Sequence, residues 1–498
     1  MTPKNRSDCS IQRTALLHTE SVYVTDLDPS GAGIVLQPTP AAREGTCLEV
    51  LVPGALPGEE IALTWRPPQP GGRRGLAERF TVLKASPDLD PSRCPHAGIC
   101  GGCPAGRLQY TRELAIKTAR LVKAPLVEAG FSADLIRPTI GQPDGARLGF
   151  RNKAILYPGI IEGTPHFGYY KPRSQTLVAA EDCPQTPQWM GDVARALAPL
   201  LLHSDLAPWH EDNTSEKEGA LRTLLLREAP GTGERLVAIV MKRLPAEDAA
   251  REVLFSHIRD ALKHLRIDAL LVNLHDATGS SVLSFAPGAT RILAGKANIK
   301  ARLMELTFTL GAETFLQVNT PQTPVLYGLA IDALKLLPED RVLDLYCGVG
   351  TLTLLAARHA ERALGIERVT ASIQCAQENA QRNHLENAFF LTAPVEKALK
   401  DVATLPDGFV PTKIIVDPAY QGLAGGAAEA LVALVKEAAI KRLVYVSCNP
   451  VTLARDAATL MRGGLELLSV TPVDMFPGAM HLEAVAVFVP ADSVSATC

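Results

Sequence analysis

Val444–Pro450 (VYVSCNP) is a run of β-branched and aromatic residues that ends in Cys448 and is stopped by Asn449-Pro450. Such a run, bounded by a turn signal, reads as a buried strand of a parallel sheet. Ligands of open α/β sheets sit beyond the carboxyl ends of the strands, so Cys448 should face a reaction crevice. The plainer alternative is a buried cysteine acting as a small hydrophobe. The sequence on either side favours the first reading.

From Arg341 onward the chain has a βα rhythm. Strand candidates are 341–346, 363–366, 389–391, 413–416 and 443–446, with apolar-periodic helices between them, and 467–475 and 484–489 finish the sheet. This predicts a doubly wound, Rossmann-like α/β domain over 306–498. Its chemistry-bearing residues fall at strand ends. Asp344–Gly350 (DLYCGVG) joins the first strand to the first helix; its glycines let backbone approach a ligand, and the helix amino end favours anionic groups. Glu367 ends the second strand, where an acid can bind a ribose hydroxyl pair. The third glycine of the dinucleotide fingerprint is missing, which favours S-adenosylmethionine over NAD. Asp417-Pro418 closes the fourth strand and Cys448 the fifth, and Asp474–Glu483 (DMFPGAMHLE) puts Glu483 at the mouth of the last. A thiol, carboxylates and a methyl-donor pocket at adjoining strand ends form a testable constellation.

Upstream, short apolar runs alternate with turn residues from about Ala15 to Ala85, which predicts a small β-barrel over 15–86. Arg66–Arg74 reads as an exposed hairpin loop, and residues 1–14 as a loose tail. A central α+β domain over 87–305 opens with Cys94-x5-Cys100-x2-Cys103, and Cys183 follows some eighty residues later. Four thiolates on irregular backbone suit a tetrahedral zinc site or an iron–sulfur cluster, and three plus one is the commoner spacing for a cluster. Tyr110–Gly130 has an amphipathic helical pattern. Phe150, Arg151, Lys153, Tyr157, Phe167, Tyr169, Tyr170, Lys171 and Arg173 make a basic stretch interleaved with aromatics, and mixed β structure continues to about 305. The polar insert 208–219 reads as a surface loop.

At 498 residues, about three domains are expected. The 47% hydrophobic and 21% charged fractions are ordinary for a globular protein. No apolar run reaches the ~18 residues needed to span a bilayer, and residues 1–10 lack the apolar core of a signal peptide. A cytoplasmic protein is expected, so ten cysteines point to metal binding or catalysis rather than disulfides. The net charge of −3 hides an asymmetry: residues 91–180 carry twelve Lys and Arg against five Asp and Glu. A basic segment on an acidic chain is a phosphate-contacting candidate.

The sequence resembles the RNA (uracil-5-)-methyltransferase family, and is most similar to the 23S rRNA (uracil-5-)-methyltransferases that carry an amino-terminal TRAM barrel. The likeness runs from about Ala15 to Pro490. Phe315–Asn319 (FLQVN), Asp344–Gly348, Ser447–Asp456 (SCNPVTLARD), Asp474–Pro477 and His481–Glu483 carry it most specifically. It implies that Cys448 is the nucleophile and Glu483 the general base, and that Gln317, Tyr346, Glu367 and Asp417 hold S-adenosylmethionine. Phe315 would lie beside a flipped base. Cys94, Cys100, Cys103 and Cys183 would hold a [4Fe–4S] cluster, and the Tyr110–Gly130 helix would pack on the catalytic domain. RNA, chiefly 23S rRNA, is the implied partner of a monomeric enzyme; tRNA is the alternative substrate. Tyr420 departs from the family, which usually has arginine there, and Ala393-Pro394-Val395 stands where an acid or asparagine commonly meets the cofactor adenine. The cytosine-5 enzymes use a Pro-Cys nucleophile, whereas Pro418 is followed here by Ala419. A non-catalytic RNA-binding or maturation factor, and a zinc protein acting on a small molecule, are the competing readings.

Overall fold

The computed structural model describes residues 16–38, 47–68, 72–91, 94–202, 206–209, 219–277, 281–400, 405–423 and 425–494. The 1–14 tail, the middle of the 66–74 loop and most of the 208–219 insert lie outside the described residues.

The carboxy-terminal sheet has seven strands: β1 (Arg341–Leu345), β2 (Arg362–Glu367), β3 (Ala388–Thr392), β4 (Lys413–Val416), β5 (Arg442–Ser447), β6 (Leu465–Val473) and β7 (Glu483–Pro490). Their order is β3-β2-β1-β4-β5-β7-β6. The first five are parallel, and β7 runs antiparallel to both β5 and β6. β1, β4 and β5 are nearly continuous apolar runs because helices cover both faces. One face packs on Leu431, Leu434, Leu453 and Leu460 from helices Ala427–Glu437 and Pro450–Arg462. Leu326 and Ala330 of Thr323–Leu334, with Leu352 and Leu355 of Thr351–Ala357, cover the other.

The expected amphipathic helix forms as Tyr110–Lys117, a π-helical stretch Thr118–Lys123 and Ala124–Glu128, followed by Gly130 at φ +94°. Val122, Leu126 and Phe131 join the first of those two cores, so this helix does pack on the carboxy-terminal sheet. That contact crosses the 305/306 boundary drawn on sequence grounds.

The amino-terminal strands form one six-stranded sheet from Leu17–Tyr23 to Arg74–Lys84. The central region has a seven-stranded sheet, with Leu221–Glu228 and Arg235–Met241 at its middle. Sequence reading gave an α+β domain with mixed β structure to about 305 but did not place its helices Gln188–Leu197 and Asp248–Leu262, which cover one face of the sheet. The basic–aromatic stretch does not form a single surface. Phe150 and Phe167 are buried, while Lys171 and Arg173 are exposed. No helix among the described residues is long and apolar enough to cross a membrane.

Candidate active site

The crevice lies where the strand order reverses, between β1 and β4, and extends over β5 and β7. The antiparallel β7 is what completes it. Ser447 pairs with Ala484, so continuing that register by one residue sets Cys448 opposite Glu483. A parallel strand would have carried its amino end to the far edge of the sheet. Glu483 is 5% exposed, whereas Cys448 is half-buried.

Asn449 holds the turn after β5. Its side chain caps helix Pro450–Arg462 by accepting the Val451 N–H at 3.1 Å, and its amide donates to the Tyr420 carbonyl at 3.0 Å. This ties the Cys448 loop to the Asp417–Tyr420 loop. Tyr420 itself is 61% exposed, so the departure from arginine alters a surface side chain and leaves the backbone clasp in place.

Three carboxyl groups gather beneath the crevice. Burial pushes Asp344 and Asp417 up to about 7, and Glu483 well above the usual carboxylate range, with the Asp417 charge adding to the Glu483 shift. Asp344 accepts the Thr353 hydroxyl at 2.5 Å through one oxygen, and its other oxygen is buried without a partner. The Cys448 thiol is pushed up to about 12 by burial, then by Glu483 and Asp417. Tyr327, buried on Thr323–Leu334, lies near Gln317, and its hydroxyl is raised by burial and then by Asp417, Glu483 and Asp344. Among the described residues, the site therefore gathers acids that are raised by burial and by one another.

The β1 loop has the shape of a ligand cradle. Tyr346 stands at φ +66°, a left-handed conformation that costs a non-glycine residue free energy and tends to occur at functional sites. Gly350 is at φ +85°, and a Cβ there would come within 2.9 Å of the Phe390 ring. Glu367 accepts the Val369 N–H at 2.9 Å, and its charge acts on both Asp344 and Tyr346. Asn152 binds the Gln317 carbonyl at 3.0 Å and fixes the Phe315–Asn319 segment. Phe315 is 63% exposed.

The four expected cysteine ligands line one cavity of about 510 Å³, together with His96, Arg151 and Tyr169. Their thiols act on one another. Cys183 is pushed up to about 11, first by burial and then by Cys103 and Cys94, and Cys100 and Cys103 are raised in the same way. Among the described residues, no three His, Cys, Asp or Glu side chains converge closely enough to hold a single metal ion.

Residues 289–490 match the family described as tRNA (Uracil-5-)-methyltransferase. An uncharacterized RNA methyltransferase of Halalkalibacterium halodurans is 32% identical, over 94% of this chain and 96% of its own length. One of Listeria innocua is 31% identical over 96% and 99%. The chain belongs to the RNA (uracil-5-)-methyltransferase family. It is thus an RNA methyltransferase with S-adenosylmethionine as methyl donor. The crystal structure of Pyrococcus abyssi tRNA (uracil-54, C5)-methyltransferase with S-adenosyl-L-homocysteine has the same fold, at a TM-score of 0.69 and 23% identity. The likeness covers 94% of this methyltransferase and all of that one.

Sequence reasoning missed Asp344 as a charged member of the site, as well as Tyr327 and Asn152. Asp344 lies inside a strand run and was read only as part of the loop motif. Tyr327 has helix-core spacing, and Asn152 had no motif.

Proposed function

We propose that this enzyme methylates C5 of uracil in RNA, with Cys448 as nucleophile, Glu483 as general base and 23S rRNA as substrate. The facing of Cys448 and Glu483 across the β5–β7 register is the observation that carries the reading. Uracil C5 is a poor nucleophile until something adds to C6. The Cys448 sulfur forms a bond to C6, which places electron density on C5. When bound, S-adenosylmethionine supplies an electrophilic methyl group that C5 takes. Glu483 then removes the C5 proton, the C6–S bond breaks, and Cys448 leaves with its electron pair. The target base must leave its stack to reach Cys448, and the exposed Phe315 is suited to receive it by stacking.

The acid-rich crevice fits a sulfonium. A nearby positive charge lowers the pKa of each acid, so the thiol and carboxyls held neutral by burial are shifted toward their reactive anionic forms. We assign Gln317, Tyr346, Glu367 and Asp417 to cofactor contact, with Glu367 at the ribose. Methyl transfer from radiolabelled S-adenosylmethionine to unmodified RNA tests the activity. Incorporation that survives loss of Cys448 overturns the mechanism, and the absence of any incorporation returns the chain to the RNA-binding reading.

Cys94, Cys100, Cys103 and Cys183 are proposed to hold a [4Fe–4S] cluster. Four sulfur donors on irregular backbone around one roomy cavity suit a cluster better than a single zinc ion. Replacing Cys100 by Ser should lower iron and sulfide content along with folding yield or RNA affinity. Zinc without sulfide in anaerobically purified protein would contradict the assignment. The amino-terminal sheet is proposed as a TRAM-like RNA contact. A tRNA substrate is the second reading, favoured by the description of the matched family and by the fold shared with the Pyrococcus enzyme. Mapping 5-methyluridine in rRNA and tRNA fractions with and without the protein distinguishes the two.

A further inference from the structure

Asp474–Pro477 was among the most specific pieces of the sequence, yet the chemistry above gives it no task. It opens the connection from β6 to β7, at whose far end stands Glu483; Val473 and Glu483 pair across the mouth of that hairpin. Side chains from elsewhere hold this connection by its backbone. Asn319 donates to the Met475 carbonyl at 2.9 Å. Lys117 donates to the Phe476 carbonyl at 3.0 Å and to the Asp474 carboxylate at 2.7 Å, and forms a 2.7 Å ion pair with Glu113. Glu113 in turn accepts the Gly478 N–H at 2.6 Å, and Tyr110 donates to Asp474 at 2.9 Å. Lys117, Glu113 and Asp474 are all 0% exposed.

The same connection touches the cysteine loop. The Ala105 N–H donates to the Gly478 carbonyl at 2.8 Å. Gly478 is at φ +83°, and a Cβ there would lie 3.2 Å from Cys103 Cβ. Arg147, which lines the cysteine cavity, pairs with Glu113 at 2.7 Å.

Buried ion pairs seldom add net stability over well-packed apolar groups, but they do fix geometry. Here every charged member of the network grips either backbone of the 474–478 turn or a partner that does. We infer that Lys117 is a positioning residue for proton removal at C5, setting the strand end that presents Glu483 and linking it mechanically to the cysteine loop. The inference rests on the proposed roles of Cys448 and Glu483.

If Glu483 is set back by even about 1 Å, the step that uses it should slow by about 10²-fold. Addition of Cys448 and methyl transfer should proceed, so covalent protein–RNA adduct should build up. The experiment compares wild type, Glu483→Gln, Lys117→Met and Glu113→Gln holoenzymes. The probe is total RNA from cells lacking this protein, with S-adenosylmethionine, and turnover and denaturant-resistant adduct are measured side by side. Lys117→Met should lower kcat about 10²-fold, raise the adduct fraction toward that of Glu483→Gln, and leave S-adenosylmethionine affinity unchanged. Glu113→Gln, which keeps an acceptor for Gly478, should show the same split more weakly, and it decides the matter if Lys117→Met does not fold. Adduct that falls in step with turnover, or turnover that does not change, overturns the positioning role. If wild type and Glu483→Gln form no Cys448-dependent adduct, the proposed chemistry fails, and this inference with it.

Discussion

Two groups of acids withdrawn from solvent include the two ends of the β6–β7 connection, Asp474 and Glu483, and they are built in opposite ways. Glu113 and Asp474 are closed on Lys117, a cation that the chain itself supplies. Asp344 and Glu483 are buried and Asp417 partly so, and all three, like Glu113, are raised in pKa. One oxygen of Asp344 has no partner at all. Burying a carboxylate without compensation is costly, so the crevice is destabilised while empty and relieved when a cation arrives. The network is complete without any ligand. One cluster fixes backbone, and the other is the one proposed for chemistry.

The contrast can be tested from its largest consequence downward. Replacing Cys448 by Ala should abolish methyl transfer while S-adenosylmethionine still binds, read by radiolabel incorporation and calorimetry. Binding that disappears together with activity would mean that Cys448 only shapes the pocket. Glu483→Gln should nearly stop turnover and trap an RNA adduct; rapid turnover by this variant rules out the assigned base.

Stability should respond in opposite directions on the two sides. Lys117→Met takes the cation from Asp474, leaves Glu113 with Arg147, and should cost about 3–5 kcal/mol in denaturant unfolding. Asp344→Asn should stabilise the ligand-free protein. Its carboxyl is raised from 3.8 to about 7, so the folded state holds a proton that the unfolded state has lost over that interval. The Asp344 contribution is therefore intact below pH 3.8 and lost as pH rises to about 7. The variant should escape that loss, a gain of order 4 kcal/mol at pH 8 that vanishes near pH 4. Equal pH dependence in variant and wild type would show that Asp344 is not held neutral. The smallest effect should be proton release on S-adenosylmethionine binding near pH 7, as the sulfonium lowers the Asp344 and Asp417 pKa values. Calorimetry in buffers of different ionisation heat measures it, and a heat independent of buffer contradicts the electrostatic fit.

Much of this was legible along the chain. The βα rhythm after Arg341 gave the carboxy-terminal sheet because its strands are apolar runs of the right length with turn signals between them. The candidate residues Glu367, Asp417, Cys448 and Glu483 could be picked out because each adjoins a strand end. The burial of Phe150 and Phe167 within the basic–aromatic stretch was not legible, because charge counts carry no information about which side chains packing will cover. Helices Gln188–Leu197 and Asp248–Leu262 went unseen among strands whose apolar residues they cover.

By itself the sequence determined the local periods, the strand ends and the residue types placed there, since these depend on neighbours a few positions apart. Only the tertiary structure decided which ends meet. The reversal of β7 brings Glu483 to Cys448, and packing of the 110–128 helix carries Lys117 to an aspartate 357 residues away. Read locally, Lys117 is an ordinary charge on an amphipathic helix. Its burial between two carboxylates is a property of strand pairing and helix docking, which depend on the shape of the whole chain.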